Sequence, residues 1–165
     1  EAVEDAVVED LTGELLNRGL RAAADAQQQG MDTDALARHV LGICIDWLTR
    51  DPRRARVLFA KASDNPRARD HRNRVIDQLA QTLTRFGLAY HQPRQPEVAV
   101  TEEHGHLADL GSSMLIGGTI ESILRWIEGD IALSLEEFID YTARFWVELG
   151  NAAVDMAREK PGPQP

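Results

Sequence analysis

The chain has 165 residues, 43% hydrophobic and 27% charged, which is ordinary globular usage and length enough for one domain with a sizeable core. A formal net charge of −9 and an isoelectric point near 5.0 give a surface that repels phosphate backbones and anionic lipid, which points away from direct nucleic-acid or membrane binding and toward small molecules and proteins as partners. With Cys44 as its one cysteine the chain can form no internal disulfide, a usage that fits a cytoplasmic location.

Glycine and proline fall mostly between periodic segments, and no stretch alternates apolar and polar residues for long. The expected fold is therefore all-α, with six helices. The first runs from about Ala2 to Gln28, with Val3, Val7, Leu11 and Leu15 on one face. It is amphipathic from its first residues, with neither an initiator methionine nor a signal-peptide pattern before it, and a further segment is expected upstream of Glu1. The second starts near Thr33, with Asp32 or Thr33 as cap, and carries Leu36, Val40, Cys44 and Trp47 on one stripe and Leu41, Ile45 and Leu48 on another. Apolar on two sides, it belongs at the centre.

Asp51-Pro52 opens a short third helix, with an acceptor at the cap and proline at the first position, where its missing N–H costs nothing. Asn65-Pro66 repeats the device for a fourth helix that runs to about Tyr90, with Arg72, Ile76, Leu79, Leu83, Phe86 and Tyr90 at helical spacing. Across this region, from Arg50 to Arg74, nine basic residues face three acidic ones, leaving the rest of the chain at −15. Such a run is either a solvated face or a surface toward DNA or an adjoining module.

A loop from His91 to Val100, with Pro93 and Pro96, precedes the last two helices. Thr101 is the expected cap of the fifth, Gly129 its end, and Ser134 with Glu137 a capping box for the sixth. The domain is expected to occupy residues 1–160, with 161–165 as a frayed tail. The apolar run from Met114 to Ile120 is stopped by Glu121 and Arg125, short of the roughly 18 residues of a membrane span.

The last two helices carry more apolar surface than one chain needs. On the sixth, Leu135, Phe138, Thr142, Phe145, Leu149, Ala152 and Met156 form one stripe, with Ile139, Ala143, Trp146, Gly150 and Ala153 beside it. Together they span roughly 200°, twice the arc a surface helix uses for its own core. The fifth is apolar nearly all round, and Gly111, Gly118 and Ser122 occupy one narrow sector where another helix could approach. The economical solution is a homodimer in which these two helices form an intersubunit four-helix bundle with their copies.

No pattern carries catalytic chemistry. Gly117-Gly118 sits mid-helix with no lysine near it, so no phosphate-cradling loop is indicated. Glu103 and His106 make a single Glu-x-x-His step, whereas a di-iron bundle needs two such steps and two more carboxylates. No nucleophile elbow is present, and Ile43 and Ile45 beside Cys44 would raise its pKa. Neither an enzyme, a metal nor a cofactor is expected. Glu121 and Arg125 stand in the favourable order for an ion pair. The second and fourth helices direct Cys44, Trp47, Leu48, Leu79, Leu83 and Phe86 to a common interior, with Phe59 and Met114 as walls. That interior is plain core or an apolar ligand cavity.

Ile116-Gly117-Gly118-Thr119-Ile120-Glu121-Ser122-Ile123-Leu124-Arg125-Trp126-Ile127-Glu128-Gly129, followed by Ser134-Leu135-Glu136-Glu137-Phe138, resembles the end of TetR-type transcriptional regulators. So does Asp51-Pro52-Arg53-Arg54-Ala55-Arg56-Val57-Leu58-Phe59. The likeness covers essentially the whole chain, as the family's C-terminal effector-binding and dimerisation domain. It implies a small apolar or mixed-polarity effector bound between the front helices, and DNA contact only through an N-terminal helix-turn-helix that these residues do not include. By position it implies Gly118, Ser122, Trp126, Phe138, Thr142, Phe145 and Leu149 on the dimer side, and Cys44, Trp47, Phe59, Leu83, Phe86 and Met114 on the pocket side. It also places Arg53, Arg54 and Arg56 toward the DNA-binding module, by analogy. The alternative is a purely structural helical dimerisation module with a filled core and no ligand.

Overall fold

The computed structural model describes residues 2–59, 66–91 and 102–159. Among them are six helices and no strand: α1 (Ala2–Gln28), α2 (Thr33–Arg50), α3 (Pro52–Phe59), α4 (Pro66–His91), α5 (Glu102–Glu128) and α6 (Leu135–Glu159). The expected cap at Asn65, the loop 92–100, the Thr101 cap and the tail 161–165 lie outside the described residues, as do Lys61 and the side chains of Arg67 and Glu103.

Local chemistry sets the helix ends. Asp32, not Thr33, caps α2: its Oδ1 accepts from the Ala35 N–H at 2.8 Å. Asp32→Ala is expected to lower stability by about 1 kcal/mol, read as a shift of the urea midpoint at unchanged slope; no shift would mean that the cap is idle. α1 and α5 each stop on a glycine with positive φ, Gly30 at 66° and Gly129 at 86°. In both, the next N–H turns back to a carbonyl five residues earlier, Met31 to Ala26 and Asp130 to Arg125. That backbone turn suits a residue without a Cβ. At α6 the Ser134 N–H donates to Glu137 Oε2 at 2.8 Å and the Glu137 N–H to Ser134 Oγ at 3.2 Å. These bonds from Ser134 hold the Glu137 carboxyl below its usual range.

The helices form a ring in the order α1, α2, α6, α5, α4, and α4 touches α1 again. Arg38 of α2 pairs with Asp140 of α6, while at the closure His71 Nε2 of α4 lies 2.8 Å from Asp5 Oδ1 of α1. α3 meets α1, α2, α4 and α5 and plugs one end of the ring. Its Leu58 and Phe59 are both 1% exposed, in a cluster with Ile45, Leu48, Val75, Ile120, Ile123 and Phe138. Among the described residues the opposite end holds a smaller cluster of Ala26, Leu36 and Tyr90, with Met31, Val40 and Phe86 packed against it. One end of the ring is thus filled and the other sparsely packed among the described residues. No helix among the described residues is long and apolar enough to cross a membrane.

Candidate ligand cavity and helical surface

Among the described residues the sparse end is hollow because the helices facing it carry small residues there. Ala108, Gly111 and Ser112 of α5 oppose Gly150, Ala153 and Ala157 of α6, and the space between them is a half-open cleft of about 240 Å³. Nearer the α3 plug a second cavity of about 200 Å³, half-open as well, lies among α1, α2, α4 and α5. Leu36, Ala37, Leu83, Phe86 and Trp146 line both, so the two spaces share a wall. Each is below the roughly 300–1,000 Å³ usual for a ligand site, so a ligand of ordinary size would have to displace shared wall side chains such as Leu83 or Phe86 and occupy both.

Of the expected pocket residues, Cys44, Leu48, Phe59, Leu79, Leu83 and Phe86 line the deep cavity. Two others do not. Trp47 is buried, but under the guanidinium groups of Arg18 and Arg54, whose carbons lie 5.4 and 4.6 Å from its ring centre. It follows Cys44 by three residues, which turns it about 60° away from the cavity stripe. Met114 is 56% exposed on the outer face of α5, on the far side from the core-facing Ile120 and Ile123.

Burial pushes the Cys44 thiol up to about 11. Since the thiolate is the reactive form, maleimide labelling of the folded protein at pH 8 should run at least about 100-fold slower than that of the unfolded chain, rising about tenfold per pH unit toward 11. Equal rates before and after unfolding would contradict this burial.

Polar groups collect at the outer cleft. The Thr33 and Tyr90 hydroxyls lie 2.9 Å apart, Ser112 is buried, and Thr84, 9% exposed, has a buried hydroxyl without a hydrogen-bond partner. In the deep cavity the polar groups are engaged: Trp146 Nε1 donates to Thr119 Oγ1 at 2.8 Å, and Thr82 donates to the Gln78 carbonyl. No charged side chain among the described residues lines either space. Among the described residues, no group of three His, Cys, Asp or Glu is placed to hold a metal ion.

The expected dimer-side residues divide between inside and outside. Phe138 is 3% exposed and belongs to the protomer's own core. Trp126 packs on it with ring centres 5.9 Å apart and donates to the Leu133 carbonyl at 2.8 Å. Phe138 is thus enclosed by its own protomer, while Trp126 stays half-buried. Thr142 is half-buried and donates to the Phe138 carbonyl, and Leu149 faces the outer cleft. Ser122 is half-buried and Gly118 exposed. Phe145, 73% exposed, does point outward, together with Tyr141 and Met156 on α6 and Leu110 and Met114 on α5. Leu110 and Tyr141 were not singled out by periodicity, which on helices apolar over so wide an arc gives no direction.

The arginine cluster is only partly a solvated face. Arg54 donates to the Trp47 carbonyl at 2.8 Å and Arg72 to the Phe59 carbonyl at 2.8 Å, tying α3 to α2 and α4. Arg53 pairs with Asp51 in solvent, and Arg56 is exposed. Arg125 reaches Asp130 at 3.8 Å. Comparison with protein-family models, curated proteins and solved structures finds no match to this chain.

Proposed function

We infer that the chain is the ligand-sensing and dimerisation domain of a TetR-like transcriptional regulator, a repressor acting in the cytoplasm whose DNA affinity changes when a small molecule binds. DNA contact is assigned to a helix-turn-helix outside residues 1–165. The observation that carries the reading is the two-faced use of α6. Its inner face, with Trp146, Gly150 and Ala153, is a wall of the outer cleft, while Tyr141, Phe145 and Met156 on its outer face are exposed. A ligand that fills the cleft presses on the helix that would meet the partner, and so changes the relation of two subunits. Such coupling requires the ligand to bind the two arrangements unequally. The adjoining cavities support this reading over a purely structural dimerisation module, whose interior would be filled.

Thermal shift against a chemically diverse panel of small molecules tests the proposal. A ligand at about 100 times its Kd stabilises the native state by about 2.7 kcal/mol, roughly 5–10 °C for a chain of this size. Stabilisation by one chemical class is the expected result, and a flat response across every class would overturn the sensor reading.

A further inference from the structure

The geometry points to an uncharged, mostly hydrocarbon ligand with one hydroxyl or carbonyl end: the hydrocarbon fills the deep cavity, and the polar end sits in the outer cleft beside Thr84 and Ser112. This rests on the ligand-site reading above and adds the chemical class. That no charged side chain stands among the described residues of either wall carries it. A carboxylate or ammonium group brought inside would lose its hydration and meet no opposite charge, which is among the largest penalties a buried group can incur. A single neutral polar group has the opposite fate. The Thr84 hydroxyl is already buried without a partner, so a ligand oxygen that reached it would repair a deficit present in the empty protein.

The polarity gradient sets the direction. The deep cavity has walls of Leu48, Leu79, Ile116 and Ile120, and its Thr82 and Thr119 hydroxyls are already committed to Gln78 and Trp146. A polar ligand end placed there would compete with existing bonds. At the outer cleft, Thr84 and Ser112 share the wall with the Thr33–Tyr90 hydroxyl pair. A turn of about 120° in χ1 carries the Thr84 hydroxyl to the position its methyl group holds, and threonine in a helix uses more than one χ1 rotamer.

The test compares four ten-carbon probes on the full chain at neutral pH: 1-decanol, decane, decanoate and decylamine, with binding followed by calorimetry. 1-Decanol is expected to bind at least 30-fold tighter than decanoate or decylamine, and several-fold tighter than decane. Thr84→Val, which keeps the shape and removes the hydroxyl, is expected to erase the advantage of decanol over decane while leaving decane binding intact. Leu83→Trp, at the wall common to both cavities, is expected to abolish binding of all probes, with circular dichroism checking its fold. Should decanoate or decylamine bind as tightly as decanol, the neutral class is wrong while the cavity survives as a ligand site. If decane matches decanol in the parent chain, or Thr84→Val leaves their ratio unchanged, the polar end is wrongly placed. Binding by none of the four would overturn both the class and the site.

Discussion

Phe59→Ala is expected to lower the unfolding free energy by about 3–5 kcal/mol, the range for removing a buried phenylalanine. That is a large part of the roughly 5–15 kcal/mol that holds a domain together. The ring is 1% exposed and sits where α3 plugs the filled end, among Ile45, Leu48, Leu58 and Ile123. Its site resists collapse. The neighbouring backbone is pinned by the bond from Arg72 to the Phe59 carbonyl and by that from Arg54 to the Trp47 carbonyl, so the surrounding helices cannot close on the space left behind. The cost should therefore lie toward the top of the range, because the cavity term grows with the volume that remains. Phe59 also lines the deep cavity, and its loss would extend that space toward α3. Urea unfolding of Phe59→Ala and Phe59→Leu measures the effect, with leucine recovering more than half of the loss. A change below about 1 kcal/mol for alanine would show that α3 is not the plug described here.

Much of this architecture is written in short-range chemistry. The Asp51-Pro52 step, the Ser134…Glu137 pair and the glycines at 30 and 129 mark helix ends by rules that need no tertiary information. Six of the eight expected cavity residues line the deep space: Cys44 and Leu48 from the two apolar stripes of α2, Leu79, Leu83 and Phe86 from α4, and Phe59 from α3. Trp47 lies at the edge of its stripe, about 60° round from Cys44, and on a helix apolar on two sides periodicity alone does not say where the cavity wall ends. The outward position of Met114 and the inward one of Phe138 failed for a related reason: on α5 and α6 the apolar arc is so wide that own core and exposed face merge into one pattern.

The outer cleft was missed because a cavity is a lack of side-chain volume, not a residue type. Its signal was present as Ala108, Gly111 and Ser112 on α5 and Gly150, Ala153 and Ala157 on α6. Read as small residues facing the interior toward the start of α5 and the end of α6, they mark where the described helices leave space between them. Gly111 had instead been placed with Gly118 and Ser122 as a helix-contact sector. Arg54 over Trp47 has no sequence signature, since seven residues and a helix boundary separate the two.

Phe145→Glu is expected to weaken self-association by at least 100-fold. Burying one phenylalanine side chain contributes about 1.5–3 kcal/mol, a two-fold interface uses it twice, and each 1.4 kcal/mol is a factor of ten in Kd. The side chain is 73% exposed in the protomer, so its replacement costs the folded subunit little, and circular dichroism should be unchanged. Sedimentation at micromolar concentration should then give a dimer for the parent chain and a monomer for the variant. Gly118→Ala separates this outcome from a general loss of stability. A Cβ at Gly118 meets nothing within 4 Å in the protomer, so an isolated chain would gain up to about 1 kcal/mol from the better helix former. If a partner helix lies against that position, the added methyl group pushes it away and the dimer weakens while the monomer is strengthened. The two effects have opposite signs, and denaturant midpoints measured across a range of protein concentrations resolve them. A parent chain that remains monomeric, with Gly118→Ala only stabilising it, would leave the exposed face of α5 and α6 without a second copy to cover it.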